Sequence, residues 1–246
     1  MHMRHLRMRM EGPTQIDRFA ARNFRSIMAG PQNLTLGLIV EGHREEQAAP
    51  VPVRHIARAC GFHTPIKCHV RRVTKSQLVR SRELERVVEA LTRQIGRRQP
   101  ILILLDADEH CPTELAANPM TRAKAEHADV TISIVVAKQE YEAWFLAAAN
   151  SSAGQRGLAE RLNPPGDPES VRGAKEWLTA HMRSDESYSP TRHQSAFSEM
   201  MDLSEARGAR SFRKFEPSGN LRRKCGIYWA WRIEDRPRRA IIRQAF

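Results

Sequence analysis

The sequence has few cysteines, few aromatic residues and no long apolar run, and each shortage narrows what the protein can be. Four cysteines, Cys60, Cys68, Cys111 and Cys225, stand in 246 residues with no Cys-x-x-Cys pair and no zinc spacing. That argues against a disulfide scaffold or a zinc knot, and free thiols in a reducing cytoplasm are the expectation. No apolar run approaches the ~20 residues that span a bilayer, so neither a transmembrane helix nor a membrane partner is expected. The opening MHMRHLRMRM is basic but no apolar segment follows it, so it does not read as a secretory signal. A phosphate-cradling GxxxxGK[ST] loop is absent too, which removes the P-loop reading of any strand-terminal aspartate.

What is present is an ordinary globular composition, 41% hydrophobic and 28% charged, with a net charge of +12. Such a chain can bury one sizeable core and a smaller second unit. From Glu205 to Phe246 twelve Arg or Lys face four Asp or Glu, a surplus of eight. Two readings stay open: a solvated arginine-rich surface, or a footprint for a phosphate backbone.

The first 33 residues carry six arginines and few large apolar side chains, and read as a loosely held basic arm. Leu34–Val40 is almost wholly apolar, as in a strand covered on both faces. Val53, Ile56, Ala57 and Cys60 form a helical stripe closed by Gly61, with Pro50 and Pro52 near its first turn. Ile66, Cys68 and Val70 alternate as a second strand, and Leu84, Val87, Val88, Leu91 and Ile95 mark an amphipathic helix ending near Gly96. Ile101–Leu105 is a third strand, 113–128 a helix and 129–137 a β-branched fourth strand. QEYEAWFLAAA follows as a helix.

Strands alternating with helices predict an α/β domain over residues 34–150 with a mostly parallel sheet. NPPGDP, residues 163–168, is the strongest breaker in the chain. Beyond it come helical patterns only, at 174–182 and 191–206, so 151–246 is expected to be a helical, basic region.

Three of these strands end in acids: Val40 runs into Glu41, Leu105 into Asp106 and Asp108, and Ala137 into Glu140 and Glu142. In an open parallel sheet, functional groups gather at carboxyl ends of strands. If the chain stays extended, Asp106 and Asp108 point the same way. Two carboxylates so close repel unless a cation lies between them, and hard oxygen ligands suit Mg²⁺ or Mn²⁺. A lone Asp-x-Asp is equally often loop solvation with helix capping. His110, two residues past Asp108, stands where a haloacid-dehalogenase-type phosphatase needs Thr or Val. In the regular helix expected here, Glu140 and Glu142 cannot share a face, which leaves Glu142 as the one aimed at the metal. Trp144, Phe145 and Leu146 read as core rather than as a base-stacking platform. Arg210, Arg213 and Lys214 interleave with Phe212 and Phe215. They read either as a plain amphipathic surface helix, or as one that docks its phenylalanines and offers its charges to phosphate.

An aliphatic strand ending Glu-Gly, a helix, and another strand ending Asp-x-Asp resembles the Toprim domain of topoisomerases, primases and the overcoming-lysogenization-defect (OLD) nucleases. The stretches IVEGHREE, LLDADEHCP and EYEAWFLAA carry the likeness, with SFRKF a weaker match. It is nearest to a family of bacterial Toprim-like proteins of the domain-of-unknown-function type. The resemblance implies a Toprim-like parallel sheet and gives Glu41 the role of metal ligand or general acid/base. It makes Asp106 and Asp108 the metal-binding aspartates, and matches Glu45 and Glu142 to further acids of OLD-like nucleases.

The ATPase half of such nucleases is missing from this chain, so a separate AAA- or ABC-type ATPase would be the partner. The glycine common after Asp-x-Asp is missing too. The function so implied is a Mg²⁺- or Mn²⁺-dependent phosphodiesterase, a nuclease in the cytoplasm, acting on DNA or RNA, with a place in defence. The rival is a non-catalytic component that keeps the fold and binds nucleic acid or a partner. Nucleotidyl transfer is a third reading, since primases share the module.

Overall fold

A computed structural model describes residues 35–59, 64–80 and 82–216. The basic arm, the Cys60–Gly61 end of the first helical stripe and everything past Glu216, Cys225 included, lie outside the described residues. Four strands, β1 (Thr35–Val40), β2 (Lys67–Arg72), β3 (Ile101–Asp106) and β4 (Ile132–Ala137), form one sheet in the order β2-β1-β3-β4. Every pairing is parallel, with Val40 opposite Leu104 and Asp106 opposite Ala137. The chain moves from β1 to β2 on one side, then crosses back over β1 to β3. The gap between β1 and β3 is therefore where the winding reverses, and the carboxyl ends of those two strands flank it.

Between β1 and β2 lie α1 (Glu45–Ala48) and α2 (Pro50–Ala59). Between β2 and β3 lie α3 (Lys75–Val79) and α4 (Glu83–Ile95), and α5 (Pro112–Glu126) leads to β4. The alternation of strand side chains splits the core by face. Leu36, Leu38, Val40, Leu102 and Leu104 join one buried cluster, and Ile39, Ile103 and Leu105 join the other with Leu84, Val88 and Leu91 of α4. Glycine ends α4 as expected: Gly96 sits at φ +94. β2 is a half-exposed edge, which explains its mixed polar and apolar sequence.

After β4 come two short helices, α6 (Ala143–Ala147) and α7 (Ala149–Ser152), where one longer helix was expected. A single 3₁₀ turn at Pro168–Ser170 leads to α8 (Ala174–Ala180), α9 (Pro190–Met200), α10 (Leu203–Ala206) and α11 (Arg210–Phe215). The break between α9 and α10 is made by Asp202, whose carboxylate accepts from the backbone N–H groups of Ser204 and Glu205. These later helices share the first core cluster with the sheet: Leu178, Phe197, Phe212 and Phe215 are buried in it beside Leu38 and Leu104. Trp144 is the hub. It is fully buried, its indole N–H donates to Ser211 Oγ at 2.8 Å, and the Phe212 and Phe215 rings lie 5.2 and 4.9 Å from it. Trp144, Phe145 and Leu146 are thus core, as their apolar run implied.

Phe212 is fully buried and packs edge-on against Trp144. A Phe212→Ala change is expected to cost about 3–5 kcal/mol by leaving a cavity under α11. Urea denaturation reads it directly, and a loss below ~1 kcal/mol would mean α11 is not anchored as described. Among the described residues no helix is long and apolar enough to cross a membrane.

Candidate functional site

Five acids stand at or just past the carboxyl ends of β1, β3 and β4, and a sixth, Glu45, opens α1. Glu41 follows β1, and Gly42 lets the chain fold tightly back: its N–H donates to Glu45 Oε2 at 3.2 Å. A Cβ at position 42 would lie 2.6 Å from Glu45 Oε1 and push that carboxylate from its place. This is the physical use of the Glu-Gly pair. Glu45 is 5% exposed. Asp106 is the last residue of β3, and by strand alternation from Leu102 and Leu104 it faces the first cluster's side. Glu142 is 1% exposed.

The acids lack partners to match their number. Glu41 Oε2 and Asp106 Oδ1 are buried with no hydrogen bond. Burial, and then the charges of Glu45 and Glu142, drive Asp106 well above the usual carboxylate range. Burial raises Glu45 to about 7, aided by the charges of Glu142 and Glu41. Burial also raises Glu41 and Glu142, against the opposing pull of Lys75 on the one and Lys175 on the other. Each of the four acids therefore gives up its proton at a higher pH in the fold than in a free chain.

The sign of the linkage follows. A carboxyl whose folded value is raised binds more protons in the native state, so stability falls as pH rises from the free-chain range near 4.5 through about 7. For Glu45 alone the cost to the ionised fold is ~3 kcal/mol. Melting temperature is expected to drop between pH 5 and 8 at constant salt, and to recover when Mg²⁺ is added at pH 8. A flat profile would show that the acids are not crowded as described.

Asp106 and Asp108 do not present their carboxylates side by side. The strand ends at Asp106, and Asp108 adopts φ +46, its N–H donating to Gln139 O at 2.8 Å. The alternation that would align them stops one residue short. Asp108 is instead exposed and bonded to Lys75, whose Nζ also lies 3.6 Å from Glu41 Oε2. Nor are Glu140 and Glu142 on a regular helix. They sit in the turn before α6, so both reach one cation: Lys175 Nζ lies 2.5 Å from Glu140 Oε2 and 3.3 Å from Glu142 Oε2.

Four residues of the site were not visible in the sequence. Lys75 comes from α3, and Lys175, Tyr188 and Gln194 come from the segment after NPPGDP. The Tyr188 hydroxyl and the Gln194 amide donate to Glu142 Oε1 at 3.0 and 3.2 Å. A second link, Tyr141 O–H to Ser198 Oγ at 2.9 Å, ties the same turn to α9. Arg210, Arg213 and Lys214 lie on the exposed side of α11. Arg213 donates to the Arg207 and Gly208 carbonyls. Among the described residues none of the three has a hydrogen bond or ion pair to a site carboxylate.

The donor set is all hard oxygen, with two buried oxygens unsatisfied, and so suits Mg²⁺ or Mn²⁺ chemically. Among the described residues, however, no three His, Cys, Asp or Glu groups already stand together as a metal cage. The profile of a family described as a domain of unknown function, DUF4276, matches residues 40–217. That span covers all the acids and lysines of the site. No curated protein and no solved structure matches the chain significantly.

Proposed function

We propose that this chain, which belongs to the DUF4276 family, is a Toprim-like phosphodiesterase that cleaves nucleic acid with the help of a divalent cation. One observation carries the reading: the buried Asp106 Oδ1, without a hydrogen-bond partner, at the end of β3 beside the point where the sheet reverses its winding. Glu41, Glu45, Asp106 and Glu142 would hold the cation, and Asp108, exposed and paired with Lys75, stands beside Glu41. When bound, Mg²⁺ or Mn²⁺ would polarise a phosphate and lower the pKa of water.

The protein's own groups do the rest. Tyr188, Gln194 and Lys175 fix Glu142 from three sides. In the metal-free protein burial raises Glu45 to a pKa of about 7, so ligation of a cation there would release its proton. The net charge of +12 draws a polyanion, and Arg210, Arg213 and Lys214 offer exposed phosphate contacts. A separate ATPase is the partner this reading proposes for any nucleotide control.

The rival, a non-catalytic component that binds nucleic acid or a partner, is favoured by the lack of a ready-made cage among the described residues and by two lysines already paired with the acids. A Mn²⁺ titration with single- and double-stranded DNA and RNA, run beside Asp106→Asn, separates the two. Metal-dependent cleavage that Asp106→Asn removes supports the enzyme. No cleavage under any metal, with or without an added ATPase, leaves only the binding reading.

A further inference from the structure

Lys75 is held in place from both sides. Val73 N–H donates to Val40 O at 2.9 Å, prolonging the β1–β2 pairing so that residues 73–75 run beside Glu41. Thr74 then caps α3 reciprocally: Gln77 N–H donates to Thr74 Oγ1 at 3.4 Å, and Thr74 N–H donates to Gln77 Oε1 at 2.9 Å. Val73 and Leu78, 2% and 1% exposed, anchor the segment in the second core cluster. The Lys75 side chain is only 17% exposed, and its ammonium lies between Glu41 Oε2 and Asp108 Oδ2. It lies between two of the three acids, Glu41 and Asp108, that the sequence suggested as metal ligands.

Phosphodiester cleavage with two metal ions uses two positive charges ~4 Å apart, one for the attacking oxygen and one for the leaving oxygen. We propose that the Lys75 ammonium stands in for one of those two cations, so that the site binds a single divalent ion, near Asp106, and Lys75 itself contacts the scissile phosphate. The inference rests on the phosphodiesterase reading. It follows from charge: Lys75 already serves Glu41 and Asp108 as counter-ion, whereas Asp106 Oδ1 is buried with no hydrogen-bond partner. A fixed ammonium differs from a metal ion in lacking Lewis acidity. It can neutralise and orient a phosphate oxygen but cannot ionise a water, which assigns water activation to the Asp106 side.

The test is the number of divalent ions bound, by calorimetry with Mn²⁺ alone and by counting bound Mn²⁺ with electron paramagnetic resonance. Wild type is expected to bind one ion. Lys75→Met removes the counter-charge between Glu41 and Asp108 and is expected to bind two, with Lys75→Gln as a second neutral variant should the first not fold. Lys75→Arg keeps the charge and is expected to bind one. Two ions in wild type, two in Lys75→Arg, or one in both neutral variants would overturn the role of Lys75 and leave the metal site standing. No ion in wild type would overturn the metal site, and this inference with it.

Discussion

Replacing Asp106 by Asn is expected to abolish metal-dependent cleavage while making the protein harder to melt. The carboxylate is buried among Glu45, Glu142 and Glu41, and its Oδ1 has no hydrogen-bond donor. Asn keeps the shape and removes the charge. Repulsion that pushes Asp106 and Glu45 upward in pKa then relaxes, and the fold gains. Asp106 is raised in the native state, so wild-type stability declines as pH climbs above the free-chain range. The variant lacks that decline, and its advantage in melting temperature should therefore grow from pH 5 to pH 8. Cleavage should fall by three orders of magnitude or more, equal to a barrier increase of about 4 kcal/mol. Binding of uncleaved nucleic acid should persist or tighten, because a negative charge near the phosphate has gone. Wild-type stabilisation by Mn²⁺ should also be lost, since ligation contributes to stability only through binding. Equal cleavage by variant and wild type would remove Asp106 from the chemistry. A lower melting temperature at pH 8 would show that the carboxylate has a partner after all.

The strand ends were readable because buried strands announce themselves by composition, and each apolar run stops at its acid. The packing of α11 was open to the same kind of reading: Phe212 and Phe215 fall on one face and the arginines on the other. What failed was inference that carried a regular period past the end of an element. Asp108 breaks the two-residue strand period by turning into the left-handed region, and Glu140 and Glu142 escape the helical period because they precede α6. The lysines were out of reach for another reason. Lys175, Tyr188 and Gln194 meet Glu142 across 33, 46 and 52 residues of chain. Nothing local in GAKEW or SYSP distinguishes a side chain aimed at a buried acid from one aimed at water. NPPGDP also misleads, since the helices after it share the sheet's own core.

Lys175 supplies the second large effect. Its ammonium touches Glu140 at 2.5 Å and Glu142 at 3.3 Å, and Glu142 is 1% exposed with Tyr188 and Gln194 as further side-chain donors. Burial pulls the lysine's pKa down, but the Glu142 charge and the Glu140 hydrogen bond outweigh it and hold the pKa above its ordinary value. Lys175→Met leaves a buried carboxylate with no counter-charge in a cluster already short of cations. Losing one partner of a fully buried pair costs about 3–5 kcal/mol, and with 39% of the Lys175 side chain exposed, solvent screening reduces that to about 2 kcal/mol. The loss should be smaller at pH 5 than at pH 8, because burial raises the Glu142 pKa and a proton can replace the missing counter-charge more readily at low pH. Adding Glu142→Gln should restore most of it, because the uncompensated charge rather than the lysine's methylenes is the fault. Urea denaturation of the two single variants and the double variant at both pH values completes the cycle. An equal loss at pH 5 and pH 8, unrelieved by Glu142→Gln, would mean that Lys175 acts through packing alone. Mn²⁺ offers a final contrast. If a divalent cation occupies the acids, it should recover part of the Lys175→Met loss at pH 8, since one positive charge near Glu142 can then take over from another.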